Sequence, residues 1–129
     1  MHIIIGGAHN GKRDYVRAML ADQEVQWFEG VLPAHNAGKI VIAGIEKWLA
    51  ETELSEADAI AQVLAAVAGS DVVVILTDIG RGIVPIDAQQ RQLRDTCGRL
   101  YRQLMAEADE VTRIWYGLAQ SLKKRGEVR

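Results

Sequence analysis

The chain has little with which to staple itself or to hold a membrane or a nucleic acid. Among its 129 residues there is one cysteine, and aromatic residues make up 5%. A lone thiol, Cys97, excludes an internal disulfide. Its apolar neighbours at helical spacing point to a packed side chain in a reducing, cytoplasmic setting rather than to a nucleophile. Long hydrophobic runs are missing too. The longest purely aliphatic stretch, Val72 to Leu76, is far too short for a membrane span, and the apolar start Ile3-Ile4-Ile5 stops at a glycine pair, so no signal peptide is expected. Nor is there an excess of basic charge: 15 Lys and Arg stand against 17 Asp and Glu, for a formal net charge of -2. That balance argues against non-specific nucleic-acid binding, and Lys123-Lys124-Arg125 is too short a basic stretch to reverse it.

What is present is an ordinary core-forming composition, 49% hydrophobic and 25% charged, in a length that suits one domain over residues 1–129. His2 to Ile5 reads as a short strand stopped by Gly6 and Gly7. A helix follows Gly11, with Tyr15, Val16, Met19 and Leu20 on one face. Val25 to Glu29 is a second strand, closed by Gly30, and Pro33, Asn36 and Gly38 mark a loop. Val41, Ile42, Ile45, Trp48 and Leu49 recur at helical spacing and predict a helix over 39–50. Ser55, with Asp58 three positions later, marks the start of another helix, which carries Ile60, Val63, Leu64 and Val67 and stops at Gly69. The run Val72 to Leu76 is a strand buried on both faces, as in a parallel sheet. A glycine-punctuated loop over 77–85 leads to a helix ending near Glu107, and Val111 to Tyr116 is the last strand. Arg113 inside it points to an edge, or to an alternate face that meets solvent. The fold class is therefore α/β, a mainly parallel sheet covered by helices on both faces, with ligands expected at the carboxyl ends of the strands.

Three candidate polar sites lie at those ends. Gly6-Gly7-Ala8-His9-Asn10-Gly11-Lys12-Arg13 fits the phosphate-loop pattern of glycine, four residues, glycine and lysine. In such a loop backbone N–H groups surround an anion, a helix N-terminus adds positive potential, and the lysine reaches the β and γ phosphates. The pattern normally closes with Ser or Thr on Mg²⁺; here Arg13 stands in that place, and a guanidinium cannot ligate a cation. A glycine pair before a helix can also be simply a tight turn. His9 faces either a ligand or solvent. Asp78, after the most apolar strand, suits a magnesium-holding acid or, equally, a turn-forming aspartate. Glu29 closes its strand either as a ligand contact, to nucleotide or metal, or as a carboxylate in water. Trp27, Phe28, Trp48, Trp115 and Tyr116 could stack on a flat ligand, but their apolar spacing favours the core.

Val72 to Pro85, reading VVVILTDIGRGIVP, together with Leu93-Arg94-Asp95, Gly98-Arg99, Ala108-Asp109-Glu110-Val111, Gly117 and Leu122-Lys123, resembles the adenosylcobinamide kinase/adenosylcobinamide-phosphate guanylyltransferase family of cobalamin biosynthesis. Gly6, Gly7, Ala8, Gly11 and Lys12 fit its N-terminal loop in register. The resemblance implies a three-layer P-loop NTPase-like fold that binds GTP or ATP with Mg²⁺. It also implies a corrinoid substrate, cobinamide, phosphorylated on its aminopropanol hydroxyl, with GMP then transferred through a guanylylated histidine, and a homotrimer. It places Lys12 and Asp78 in catalysis, residues 6–13 and Glu29 on the nucleotide, and Asp78 and Glu29 at the metal. The chain departs from the pattern at Arg13, at Ile86 and at Tyr101, where the family has serine, glutamate and asparagine. The histidine-bearing segment before the Glu29 strand is absent, and His35, lying after that strand, does not replace it. The resemblance is thus to a shortened member, with kinase activity or, alternatively, nucleotide binding without catalysis.

Overall fold

The β-branched runs become strands of one sheet. The computed structural model describes residues 1–7, 11–34, 38–69, 71–78 and 87–124. Its elements are β1 (His2–Gly6), α1 (Lys12–Met19), β2 (Val25–Glu29), β3 (Lys39–Ala43), α2 (Ile45–Glu51), α3 (Glu56–Ala66), β4 (Val72–Thr77), α4 (Ala88–Glu107), β5 (Glu110–Trp115) and β6 (Leu118–Lys123). The six strands lie in the order β2-β3-β4-β1-β5-β6. Every pairing is parallel except β5 with β6.

Period-two alternation divides the core into two layers. Ile3, Ile40, Ile42, Val74 and Leu76 pack with Ile45, Leu49, Ile60, Val63, Leu100 and Leu104 of α2, α3 and α4. Ile4, Val41, Val73, Ile75 and Ile114 pack on the other face with Val16 of α1 and Leu20 after it. Helices therefore cover both faces of a mainly parallel sheet, as the sequence predicts. Ser55 caps α3 by accepting from the Asp58 amide at 3.2 Å, and Asp87 caps α4 from the Gln90 amide at 2.7 Å. No helix among the described residues is long and apolar enough to cross a membrane.

Three expectations are corrected. Residues 39–50 are not one helix: Lys39–Ala43 is strand β3, inserted between β2 and β4, and only Ile45–Glu51 is helical. Ile40 to Ala43 are wholly buried because both sheet faces are covered there, and a run apolar on every side also fits helical spacing. The Val111 strand is not the edge either. It is followed by a hairpin in which Tyr116 and Gly117 both have positive φ, 51° and 75°, and β6 takes the outer position. Arg113 lies over the Trp115 ring, 4.7 Å from its centroid, and Trp115 and Tyr116 are exposed rather than in the core.

Candidate functional site

Parallel register brings the ends of β1 to β4 to one edge of the sheet. Gly6 pairs with Thr77, and the Asp78 amide donates to the Gly6 carbonyl at 2.9 Å, so the loops after β1 and β4 start side by side. From there the chain leaves β1 for α1 on one face and β4 for α4 on the other. In open α/β sheets ligands bind at such an edge, where neighbouring strands send the chain to opposite faces. Gly6 also serves packing, since a Cβ there would lie 2.5 Å from the Ile114 carbonyl oxygen of β5.

The four helices among the described residues start in two ways. Both α1 and α2 start from a glycine N-cap in the left-handed conformation, Gly11 and Gly44, with no side-chain cap hydrogen bond. Their first amides are therefore not satisfied by a capping side chain, whereas Ser55 and Asp87 satisfy those of α3 and α4. An uncapped start after a glycine loop is what an anion at α1 requires.

Lys12 opens α1 and is only 4% exposed. Its Nζ donates to the carbonyl oxygen of Gly7 in the loop itself. Burial pulls this ammonium below the usual lysine range, and the neighbouring Arg13 cation adds to that, while the Glu46 carboxylate opposes it. Arg13 turns the other way. Its Nε and Nη2 donate to the two carboxylate oxygens of Glu29 at 2.8 and 3.0 Å, a bidentate bridge from the start of α1 to the end of β2. That hydrogen bonding holds the Glu29 carboxyl below its ordinary value and raises the guanidinium further. Arg17 lies over the Trp27 ring beside it, 5.3 Å from the centroid.

Between these two arms lies a residue that the sequence reading passed over. Glu46, in the first turn of α2, has a fully enclosed Oε2 with no hydrogen-bond partner among the described residues. Its charge acts on Lys12 and Arg13 of α1 and on Cys97 and Tyr101 of α4. Tyr101 donates its hydroxyl to the Thr77 carbonyl at 2.9 Å, at the end of β4. Burial, then the Cys97, Glu46 and Asp78 charges, push that phenol well above the usual tyrosine range. Strand β3 was the missing signal: once it ends at Ala43, Glu46 falls just past a strand terminus rather than inside a long helix.

Of the residues that the sequence singles out, Gly6, Gly7, Gly11, Lys12, Arg13 and Asp78 meet at this edge, and Glu29 is tied in by Arg13. Ala8, His9, Asn10, His35 and residues 79–86, including the Gly-Ile-Val-Pro loop, lie outside the described residues. Among the described residues no three His, Cys, Asp or Glu side chains are grouped as a metal cage. Cys97 is buried, and its thiol is pushed up to about 12 by burial first and by Glu46 second, which makes it a packing group.

A family model described as cobinamide kinase / cobinamide phosphate guanyltransferase matches residues 15–122. The matched span holds Glu29, Glu46 and Asp78 but begins just after the glycine loop and Lys12. No curated protein sequence matches the chain.

Proposed function

This chain belongs to the cobinamide kinase / cobinamide phosphate guanyltransferase family, and we propose that it transfers a phosphoryl group from GTP or ATP to the aminopropanol hydroxyl of cobinamide. The observation that carries this reading is the convergence of a buried lysine, an uncapped helix start and Asp78 at one crevice. Phosphoryl transfer asks little covalent chemistry of a protein; positioning and charge neutralisation supply most of the catalysis.

In this reading the amides at the start of α1 hold the phosphates, and Lys12 exchanges the Gly7 carbonyl for β and γ oxygens. The anion offsets the burial that otherwise disfavours the Lys12 charge. Mg²⁺, when bound with the nucleotide, supplies further neutralisation of the triphosphate. Asp78 lies beside the loop where it can face that ion. Glu29, the other acid expected near the ion, has both oxygens engaged by Arg13, so the two roles compete. The hydroxyl oxygen bonds to the γ phosphorus and gives up its proton to a phosphate oxygen, the bond to the bridging oxygen breaks, and nucleoside diphosphate leaves.

Guanylyl transfer is not part of the proposal. Helix α1 ends at Met19 and β2 begins at Val25, which leaves no space for the histidine-bearing segment that the resemblance puts there. We read the chain in this sense as a shortened member. A second reading, nucleotide binding without catalysis, draws support from the Arg13 bridge, because an arginine replaces the hydroxyl that normally meets magnesium. The deciding assay incubates purified protein with GTP or ATP, Mg²⁺ and cobinamide and separates phosphorylated from GDP-linked corrinoid. Phosphorylated product alone supports the kinase. Nucleotide binding that is indifferent to Mg²⁺, with no product, supports the second reading and overturns the first.

A further inference from the structure

A carboxylate oxygen sealed from water without a donor is costly, and in native proteins such an atom marks an ion or water that belongs there. Glu46 Oε2 is the buried side-chain oxygen in that condition among the described residues. Lys12 Nζ donates to the Gly7 carbonyl and makes no hydrogen bond to that oxygen. Arg13 directs its Nε and Nη2 to Glu29 and makes no hydrogen bond to that oxygen either. Yet Glu46 is within electrostatic reach of both cations, and it shares Tyr101 as a neighbour with Asp78. It follows the end of β3, which pairs with β4, so it stands at the same edge of the sheet as Lys12 and Asp78.

We propose that Glu46 is an acidic ligand of the divalent cation that enters with the nucleotide, reaching it directly or through one of its waters, and that it fills the role that Arg13 and Glu29 have vacated by pairing with each other. The inference rests on the nucleotide reading of the crevice. Magnesium is commonly held by one or two carboxylates together with substrate phosphates rather than by a cage built only of protein. Glu46 with Asp78 matches that count, and no three-residue cage exists among the described residues. Cation binding should consequently depend on nucleotide.

The test is Mn²⁺ binding followed by electron paramagnetic resonance, with and without guanosine imidotriphosphate. The wild-type protein, Glu46→Gln and Glu51→Gln are compared, the last an exposed change at the far end of α2. The wild type should take up Mn²⁺ only with the analogue present. Glu46→Gln should lose at least about tenfold in Mn²⁺ affinity, the usual scale for a disturbed metal shell, while Glu51→Gln matches the wild type. Metal-free binding of the analogue should be unchanged or tighter in Glu46→Gln, because a negative charge near the phosphates has been removed. Unaltered Mn²⁺ affinity in Glu46→Gln overturns the proposal, as does weaker metal-free analogue binding, which would make Glu46 a structural counterion of Lys12. If Glu46→Gln does not fold, Mn²⁺ broadening of the Ala43 and Ile45 methyl signals in the wild type decides: broadening supports the assignment and sharp signals refute it. Failure of the analogue to bind the wild type at all is a different result and refutes the nucleotide reading itself.

Discussion

Two glutamates occupy matching places in successive helices, Glu46 in the first turn of α2 and Glu56 in the first turn of α3, and their surroundings are opposite. Glu56 is saturated. Its Oε1 accepts from Thr96 Oγ1 at 2.7 Å and from Arg99 Nη2, and its Oε2 accepts from Arg99 Nε at 2.8 Å, which fastens α3 to α4. Those donors hold the carboxyl below its ordinary value. Glu46 stands at the carboxyl edge of the sheet, and its enclosed Oε2 has no donor among the described residues. A group that serves stability has its valences filled within the chain; one that waits for a ligand does not. The same division separates the capped starts of α3 and α4 from the uncapped starts of α1 and α2.

If that division is functional, substitutions on the two sides should fail in different assays. The largest effect belongs to Lys12→Ala, which should lower phosphoryl transfer by about a hundredfold or more, the scale for losing one preorganised charge-stabilising group, with the far-ultraviolet circular dichroism unchanged. Unaltered turnover would remove Lys12 from the site. Cys97, on the protein side of Glu46, should be alkylated by iodoacetamide at pH 7.5 about a hundredfold more slowly in the native protein than in urea, because its thiol is pushed up to about 12 and buried. Equal rates would mean that α4 opens readily over the crevice. On the structural side, Thr96→Val removes a buried hydroxyl from Glu56 and should cost about 1 kcal/mol in urea unfolding while leaving nucleotide affinity untouched.

The smallest effect is the acid dependence of the Arg13 bridge. The folded Glu29 carboxyl lies below its unfolded value, so the bridge contributes its full stability above the ordinary glutamate range and loses it as the pH falls through the lower, folded value. Both side chains are substantially exposed, and solvent screening keeps the contribution small. Urea unfolding of the wild type and Glu29→Gln should differ slightly at pH 7 and converge as the pH drops below about 4. A gap that widens on acidification would reverse the assigned sign.

How far the sequence reaches follows from the same physics. Strand β4, helix α4, the Ser55 cap and the start of α1 after Gly11 are legible because each has one dominant local signal: an apolar run, a long apolar stripe, a capping pair, a glycine before an apolar face. Strand β3 is not, because Val41 and Ile42 of the strand and Ile45, Trp48 and Leu49 of α2 together imitate a single helical face, and only Gly44 interrupts them. Misplacing that boundary hides Glu46 as well, since its importance is that it follows a strand end. Strand β6 escapes notice because all of it but Lys123 is exposed, so burial imposes no alternation on it. The Arg13 to Glu29 bridge joins residues 16 positions apart across the end of the sheet, and no local pattern announces such a contact.

In the proposed function the edge where β1 and β4 end is a nucleotide site whose cation is held by carboxylates rather than by the loop's last residue. Calorimetric titration of GTP and of ATP into the wild-type protein and Lys12→Ala, each with and without Mg²⁺, tests it most directly. The wild type should bind nucleotide more tightly with Mg²⁺ than without it, and Lys12→Ala should lose that binding. Equal binding by both proteins, or wild-type binding that Mg²⁺ leaves unchanged, would contradict it.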